Sequence, residues 1–218
     1  MTGFDAQFPD LDSHYVLKIG DEAPDFSART TRGPLTLSDL RGKWVMLFAH
    51  PADFTPVCTS EFLSLSRVAD QFEMMNCVLL GLSVDSLPAH IAWVEAIYRE
   101  FGIRVTFPIV EDASMAIARA YGMLDPLAEN TATVRAVHVI DPAGVIRAVV
   151  SYPSSVGRSV AELLRLLAAL QAVAEGNMLA PEGWAPGEGL LLPAAETESE
   201  VVASGPAWFH RVAGDAAS

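Results

Sequence analysis

Cysteine is nearly absent: of 218 residues only Cys58 and Cys77 are thiols, and they form no Cys-x-x-Cys pair. Two thiols are too few for a disulfide framework and lack metal-ligand spacing, so free thiols in a reducing compartment are expected. Positive charge is scarce too, with 14 Lys and Arg against 27 Asp and Glu for a formal charge of −13. A field of that sign repels phosphate backbones and anionic lipid surfaces, which argues against nucleic acid and membrane as partners. No uninterrupted apolar run is long enough to span a bilayer. The opening MTGFDAQFPDLDSHYVLKIG has acids where a secretory leader needs a basic segment and then an apolar one, so the cytoplasm is the expected compartment. No internal repeat is visible. What the chain has in quantity is apolar side chains, 51% of the total, enough for one substantial core plus an appendage.

The apolar residues alternate between two patterns. Residues 44–49 and 77–83 are continuous apolar runs, suited to strands buried on both faces. Between them, residues 54–72 place Phe62, Leu65, Ala69 and Phe72 on one helical stripe, so strand, helix and strand form a βαβ unit with a parallel pair. A second helix is expected over 88–101, with Pro88 in its first turn and Ile91, Val94 and Ile97 or Tyr98 facing inward. A short strand over 105–110 contains Pro108, which restricts that residue to an edge, a bulge or a position without a ladder bond. A small helix follows over 113–121. Residues 134–140 and 145–150 flank Asp141-Pro-Ala-Gly144, a turn sequence that predicts a β-hairpin, and a Leu/Ala-rich helix over 158–174 closes the domain. The fold class is α/β, helices on both sides of a mixed central sheet. A main domain over 1–175 and an extension over 176–218 are expected, because composition then shifts to Pro, Gly and Glu with scattered Trp184, Leu190 to Leu192, Val201, Val202, Trp208 and Phe209. Such a tail is either unfolded or laid against a partner, and its aromatic content favours a dimer-forming arm.

The candidate chemistry centres on His50-Pro-Ala-Asp-Phe-Thr-Pro-Val-Cys58, where a strand hands over to a helix. Thr55 is a good N-cap and Pro56 a good first helical residue, so Cys58 falls at the third helical position. Unpaired N–H groups and the positive end of the helix dipole favour a thiolate there. The same thiol lies on the apolar stripe, so ordinary packing explains it equally well from position alone. Arg135 alternates with Val137 and Val139 on one strand face, an odd place for a charge unless a partner waits there.

Pro51-x-x-x-Thr55-x-x-Cys58 resembles the signature of the peroxiredoxins, and the flanking residues resemble the one-cysteine, peroxiredoxin-6 class. Further likeness extends from Gly20-Asp21 through Ser83-Val-Asp-Ser86, Trp93, Phe107-Pro-Ile109, Arg135, Tyr152-Pro153, Gly157-Arg158 and Trp184. The resemblance implies a thioredoxin-like fold with a C-terminal dimerisation extension, and antioxidant reduction of hydrogen peroxide and organic hydroperoxides. It implies no cofactor and no metal. Cys58 would attack the peroxide, Thr55 would hydrogen-bond it, Pro51 would shield the pocket, and Arg135 would support thiolate and transition state. His50 would line the pocket and bond the peroxide or nearby backbone, with Val57 beside it. Arg158 would support the site near the thiolate, although a plain surface or helix-start arginine fits nearly as well. Glu61 would bond Arg158, although a solvated carboxylate fits as well. His138 reads as packed core or sheet surface.

Cys77 opens an apolar strand and reads as inert core, and the tail has no cysteine, so an external thiol must return the sulfenic acid to the thiol. The resemblance also implies a homodimer, and rings of dimers occur among such proteins. A thioredoxin-type disulfide reductase would need a second cysteine where Glu61 stands. The Gly-Asp-Ser-Trp-Gly stretch linked to phospholipase activity in some members is Arg41-Gly-Lys-Trp-Val45 here, and that activity is not expected.

Overall fold

The computed structural model describes residues 17–124 and 132–213. The leader reading given above was made on residues 1–20, of which residues 1–16 lie outside the described residues. Two compact units are present, Met1–Val160 and Ala161–Ser218.

The first unit holds a mixed seven-stranded sheet flanked by helices. At its centre, β3 (Trp44–Ala49) is buried along its whole length. It pairs in parallel with β4 (Cys77–Ser83), from Trp44 opposite Cys77 to Ala49 opposite Leu82. β5 (Ile109–Glu111) continues the parallel set beyond β4. On the other side β6 (Arg135–Ile140) runs antiparallel to β3, and β7 (Ile146–Tyr152) closes that edge as the hairpin partner of β6. β1 (Ser27–Thr30) and β2 (Gly33–Thr36) form an antiparallel pair on the β5 edge. The spatial order is β2-β1-β5-β4-β3-β6-β7. Parallel neighbours need crossovers, supplied by α1 (Pro56–Arg67) and α2 (Ala69–Met74) between β3 and β4, and by α3 (Leu87–Phe101) between β4 and β5. A short α4 (Ala116–Ala120) follows β5.

Strand alternation divides the core. Val45, Leu47 and Ala49 join Leu80, Leu82, Tyr121, Ala136 and Ile140 in one apolar cluster. Phe48 points the other way, into rings of Phe62 and Phe107 at centroid distances of 5.6 and 5.7 Å. His50, two residues beyond Phe48, shares that second face and packs against Phe62 and Trp93. Arg135, two residues before the Val137 that pairs with Phe48, lies on the same face by the period of two.

Several boundaries differ from the sequence expectation. The helix expected over 54–72 is two, because Val68 (φ −125°, ψ 15°) leaves helical geometry between them. Phe54 is outside altogether at φ 57°, an uncommon conformation for a non-glycine residue. The strand expected over 105–110 is only Ile109–Glu111; Pro108 precedes it and contributes its carbonyl to Gly81 N–H at 3.0 Å. The helix expected over 113–121 narrows to α4, and the hairpin strands shift to 135–140 and 146–152. In α3 the buried residues are His90, Trp93 and Ile97, and Ile91, expected inside, is 51% exposed. A histidine does not read as a core residue from apolar periodicity, yet His90 has a buried carboxylate to meet, which turns the helix by one position.

In the second unit α5 (Val160–Ala172) stands where a helix was expected over 158–174. The tail is not featureless. Leu191 bridges Leu179 and Val212, Trp184 is buried and donates its indole N–H to Glu188 O, and α6 (Glu198–Ser204) begins with a capping box between Thr197 and Glu200. Among the described residues no helix is long and apolar enough to cross a membrane.

Candidate active site

Cys58 lies at the start of α1, with Thr55 in extended geometry at the N-cap and Pro56 at the first helical position. Its side chain is fully buried. The Thr55 hydroxyl makes no capping bond and donates instead to Ala52 O at 2.8 Å. Pro51, Thr55 and Val57 are half-buried around the turn.

Two arginines and one carboxylate complete the buried cluster. Arg135, at the first position of β6, reaches Cys58 Sγ at 3.3 Å and Glu61 Oε2 at 2.6 Å through the same nitrogen, while its Nε donates to Ser154 O. The partner that a charge on an apolar strand face requires is Glu61, and the thiol contact stands beside that ion pair. Glu61 is one turn after Cys58, three residues on, which puts both side chains on one helix face. Arg158 grips the same carboxylate with its backbone N–H and Nε on Oε1, at 2.7 and 2.8 Å, and Nη2 on Oε2 at 2.8 Å. Its remaining donors go to Ala49 O and Ala136 O, and its guanidinium lies over the Phe48 ring. Arg158 thus touches the thiol only through Glu61. The solvated-carboxylate alternative for Glu61 is overturned: both arginine partners and Glu61 have side chains only 2% exposed. Burial pushes the Glu61 carboxyl upward, but the Arg158 hydrogen bonds and charge, with the Arg135 charge, outweigh it and leave it below the usual range. With Sγ ionised, two guanidiniums, one carboxylate and one thiolate sum to zero, the condition under which buried charge is tolerated.

His50 meets neither backbone nor thiol in the recorded bonds of its ring. Its Nε2 pairs with Asp53 Oδ1 at 2.8 Å, and the second carboxylate oxygen pairs with His90 Nδ1 at 2.7 Å. Burial lowers the His50 pKa more than Asp53 raises it. Asp53 is pushed up by burial, but the two histidine bonds prevail and its net shift is downward. Sequence reasoning missed Asp53 and His90. Asp53 sat inside the quoted motif, three residues from His50, whereas His90 is 37 residues from Asp53, and no local pattern connects them. His50, Asp53 and His90 offer ligand atoms within 4.8 Å of one another, the one such group among the described residues. The set fits a metal poorly, since metal-bound histidines normally anchor their outer ring nitrogen, and here His50 Nδ1 and His90 Nε2 have no partner among the described residues.

Cys77 is apart from this cluster. It pairs with Trp44 at the start of β3, while Cys58 follows the end of β3, roughly 17 Å of strand away. Burial pushes its thiol up to about 12. His138 is buried in β6 beside the Tyr121 ring.

A profile of the AhpC/TSA family matches residues 19–149, and one of the C-terminal domain of 1-Cys peroxiredoxin matches residues 169–204. The chain belongs to the one-cysteine peroxiredoxins. It is 48% identical over 184 residues to Peroxiredoxin 2 of Caldanaerobacter subterraneus subsp. tengcongensis, covering 84% of this chain and 83% of that one. Peroxiredoxin 2 of Picrophilus torridus is 48% identical over 179 residues, 82% of this chain and 88% of its own. Among solved structures, a yeast mitochondrial 1-Cys peroxiredoxin superposes with a TM-score of 0.76 at 37% identity, covering 82% of this chain and 87% of that one. The Peroxiredoxin 6 of Arenicola marina gives a TM-score of 0.78 at 31% identity, covering 84% and 87%. The fold is thioredoxin-like, and this peroxiredoxin is a thiol-dependent peroxidase with an antioxidant function, acting on peroxide with thiol as reductant.

Proposed function

We propose that Cys58 is the peroxidatic residue, and that it reduces hydrogen peroxide and organic hydroperoxides by passing through a sulfenic acid. The observation that carries this is Arg135, one nitrogen of which bridges Cys58 Sγ and Glu61 inside a buried cluster. As the thiolate attacks the terminal peroxide oxygen, an S–O bond forms, the O–O bond breaks, and charge moves from sulfur to the leaving oxygen. The Arg135 guanidinium at sulfur favours the thiolate nucleophile, and, being fixed beside the reacting atoms, it is in place for the charge that develops on oxygen without reorganising. Arg135 is held from its other side by Ser154 O, and Glu61, itself held by Arg158, keeps the guanidinium aimed. The Thr55 hydroxyl donates to Ala52 O at 2.8 Å, and rotation of that hydroxyl turns its hydrogen toward the incoming peroxide oxygen as a donor. Pro51 and Val57 shield the turn, and His50 lines the pocket on the Phe62 side of α1.

Reduction of the sulfenic acid is assigned to an external thiol. A bond between Cys58 and Cys77 needs Cα atoms within about 7 Å, far less than the strand length between them. The yeast relative is described with glutathione and thioredoxin systems, and a small thiol or a dithiol protein is the reductant class proposed here, in the cytoplasm. Residues 176–218 are read as a dimer arm, supported by the C-terminal profile match and by the exposed Leu179, Val202 and Phe209.

The test is intact mass after one equivalent of hydrogen peroxide, with and without a sulfenic-acid trap, followed by non-reducing peptide mapping. One added oxygen on Cys58 is expected. Peroxide consumption that survives Cys58→Ser, or a Cys58–Cys77 disulfide on mapping, would sink the proposal.

A further inference from the structure

The peroxidatic cluster leaves a second buried polar group unexplained. His50 and His90 have no exposed surface, and Asp53 between them accepts one ring on each carboxylate oxygen. An ionised carboxylate only accepts, so each ring must present an N–H to it. A neutral imidazole has one N–H, and His50 therefore carries its hydrogen on Nε2 and a lone pair on Nδ1. That Nδ1 is buried and has no partner among the described residues. A buried unpaired acceptor is costly and calls for a reason. The ring packs edge-on against Phe62 at 4.9 Å, one turn along α1 from Cys58, and the His50 and Ala49 carbonyls are tied down by Thr133 and Arg158. The imidazole is thus clamped by its backbone, by aromatic rings on two sides and by Asp53, with one atom left free.

We propose that Asp53 and His90 are positioning residues of the peroxidase: through their shared carboxylate they lock His50 in the Nε2–H tautomer and reserve Nδ1 as an acceptor for the O–H of the bound hydroperoxide. The proposal rests on the reading of His50 as a pocket residue. In the reaction the sulfur of Cys58 displaces at the terminal oxygen. That oxygen keeps its hydrogen and becomes the sulfenic Cys58–S–O–H, while the alkoxide or hydroxide that leaves takes a proton from water. Cys58 is oxidised by two electrons and the peroxide is reduced by two. Nδ1 holds the hydrogen that stays, which orients the attacked oxygen before the bond forms. His90 acts one step back. Its Nδ1–H occupies Oδ2, so the carboxylate cannot rotate away from His50, and Asp85, which accepts the Asp53 backbone N–H at 2.9 Å, holds the loop from behind.

Asp53→Asn is the informative change. An amide can accept from one ring with its oxygen but must donate to the other through its NH2, so one of the two histidines is forced into the opposite tautomer. The experiment records 15N imidazole spectra of the reduced full chain, together with rate constants of Cys58 for hydrogen peroxide and for iodoacetamide, an electrophile with no O–H to offer. Wild type should show a neutral His50 with its hydrogen on Nε2. Where Asp53→Asn turns its NH2 toward His50, that signature is lost and the peroxide step slows by about tenfold, the size of one lost hydrogen bond, while the iodoacetamide rate stays within about twofold; where the NH2 faces His90 instead, the His50 signature and the peroxide rate persist together. His90→Gln keeps an N–H for Oδ2 and should restore most of the rate that His90→Leu loses; this pair decides the matter if Asp53→Asn does not fold. A wild-type His50 protonated on Nδ1, an unchanged peroxide rate in an Asp53→Asn protein whose His50 has changed tautomer, an unchanged rate in His90→Leu, or equal losses for both electrophiles would each overturn the proposal. Those outcomes with Cys58→Ser inactive leave the peroxidatic assignment standing, whereas an active Cys58→Ser removes both.

Discussion

At the scale of single residues, the two cysteines show how far environment separates chemically identical groups. Cys58 has a guanidinium 3.3 Å from its sulfur. Cys77 has a desolvated thiol pushed up to about 12, which leaves almost no thiolate at neutral pH. Cys77 is therefore expected to react with a disulfide reagent at pH 8 only after denaturant is added, and Cys77→Ala should keep the wild-type rate with peroxide, checked by stopped-flow fluorescence. Glu61 is the residue whose loss should cost most. Breaking a buried ion pair by removing one partner costs roughly 3–5 kcal/mol, and Glu61→Gln leaves two buried guanidiniums with no counter-charge but the Cys58 sulfur. Urea unfolding should record a loss of that order, along with a slower reaction of Cys58 with peroxide.

Among the elements, the β6–β7 hairpin gives the sharpest test. Gly144 turns the chain at φ 84°, and a β-carbon there would run into the Arg41 guanidinium. Gly144→Ala meets left-handed backbone strain, while the flexible end of Arg41 swings aside, and should destabilise the protein by about 1 kcal/mol. The melting temperature and amide exchange across β6 and β7 would show it, and Arg135, on β6, would lose order with the strand. The capping box of α6 behaves differently. Thr197 accepts from Glu200 N–H at 3.2 Å on a helix with no buried residue. Thr197→Ala should weaken that helix by about 1 kcal/mol and raise exchange over residues 198–204, with peroxide turnover unchanged.

For the whole molecule, acid is the condition to which the structure is most exposed. Burial lowers His138 to about 4 from 6.5. Between those values the unfolded chain binds a proton that the folded chain refuses, so stability falls as pH drops through this window, by about 3 kcal/mol in all. Glu61 and Asp53, both held below the usual carboxylate range, stabilise the fold above the unfolded carboxylate pKa. Their share is lost only further down, as pH falls through their folded values. Urea unfolding at pH 7 and pH 5 should show the histidine contribution, and His138→Val should reduce the difference to the part that His50, also lowered by burial, supplies. If the second unit forms the proposed arm, light scattering at neutral pH should return a mass of at least twice 23.3 kDa.

Much of the protein was legible in its sequence because it is decided locally. The Thr55-Pro56 helix start that sets Cys58 in the first turn needs only neighbouring residues, and the continuous run of β3 and the Pro142–Gly144 turn announce a buried strand and a hairpin. Arg135 was also legible, as a charge on an apolar strand face. Boundaries were less so: Val68 divides a continuous apolar stripe, and the capping box at Thr197 was present in the tail but overlooked. Partnerships were decided only by tertiary structure. Glu61 could be solvated or buried until Arg135 and Arg158, 74 and 97 residues away, closed on it, and His90 was an unremarked helix residue until the fold set it against Asp53. The reason is physical: helix caps and strand periods arise from torsions and nearest neighbours, whereas a buried charge or imidazole takes its meaning from whichever distant group the packed chain brings to it.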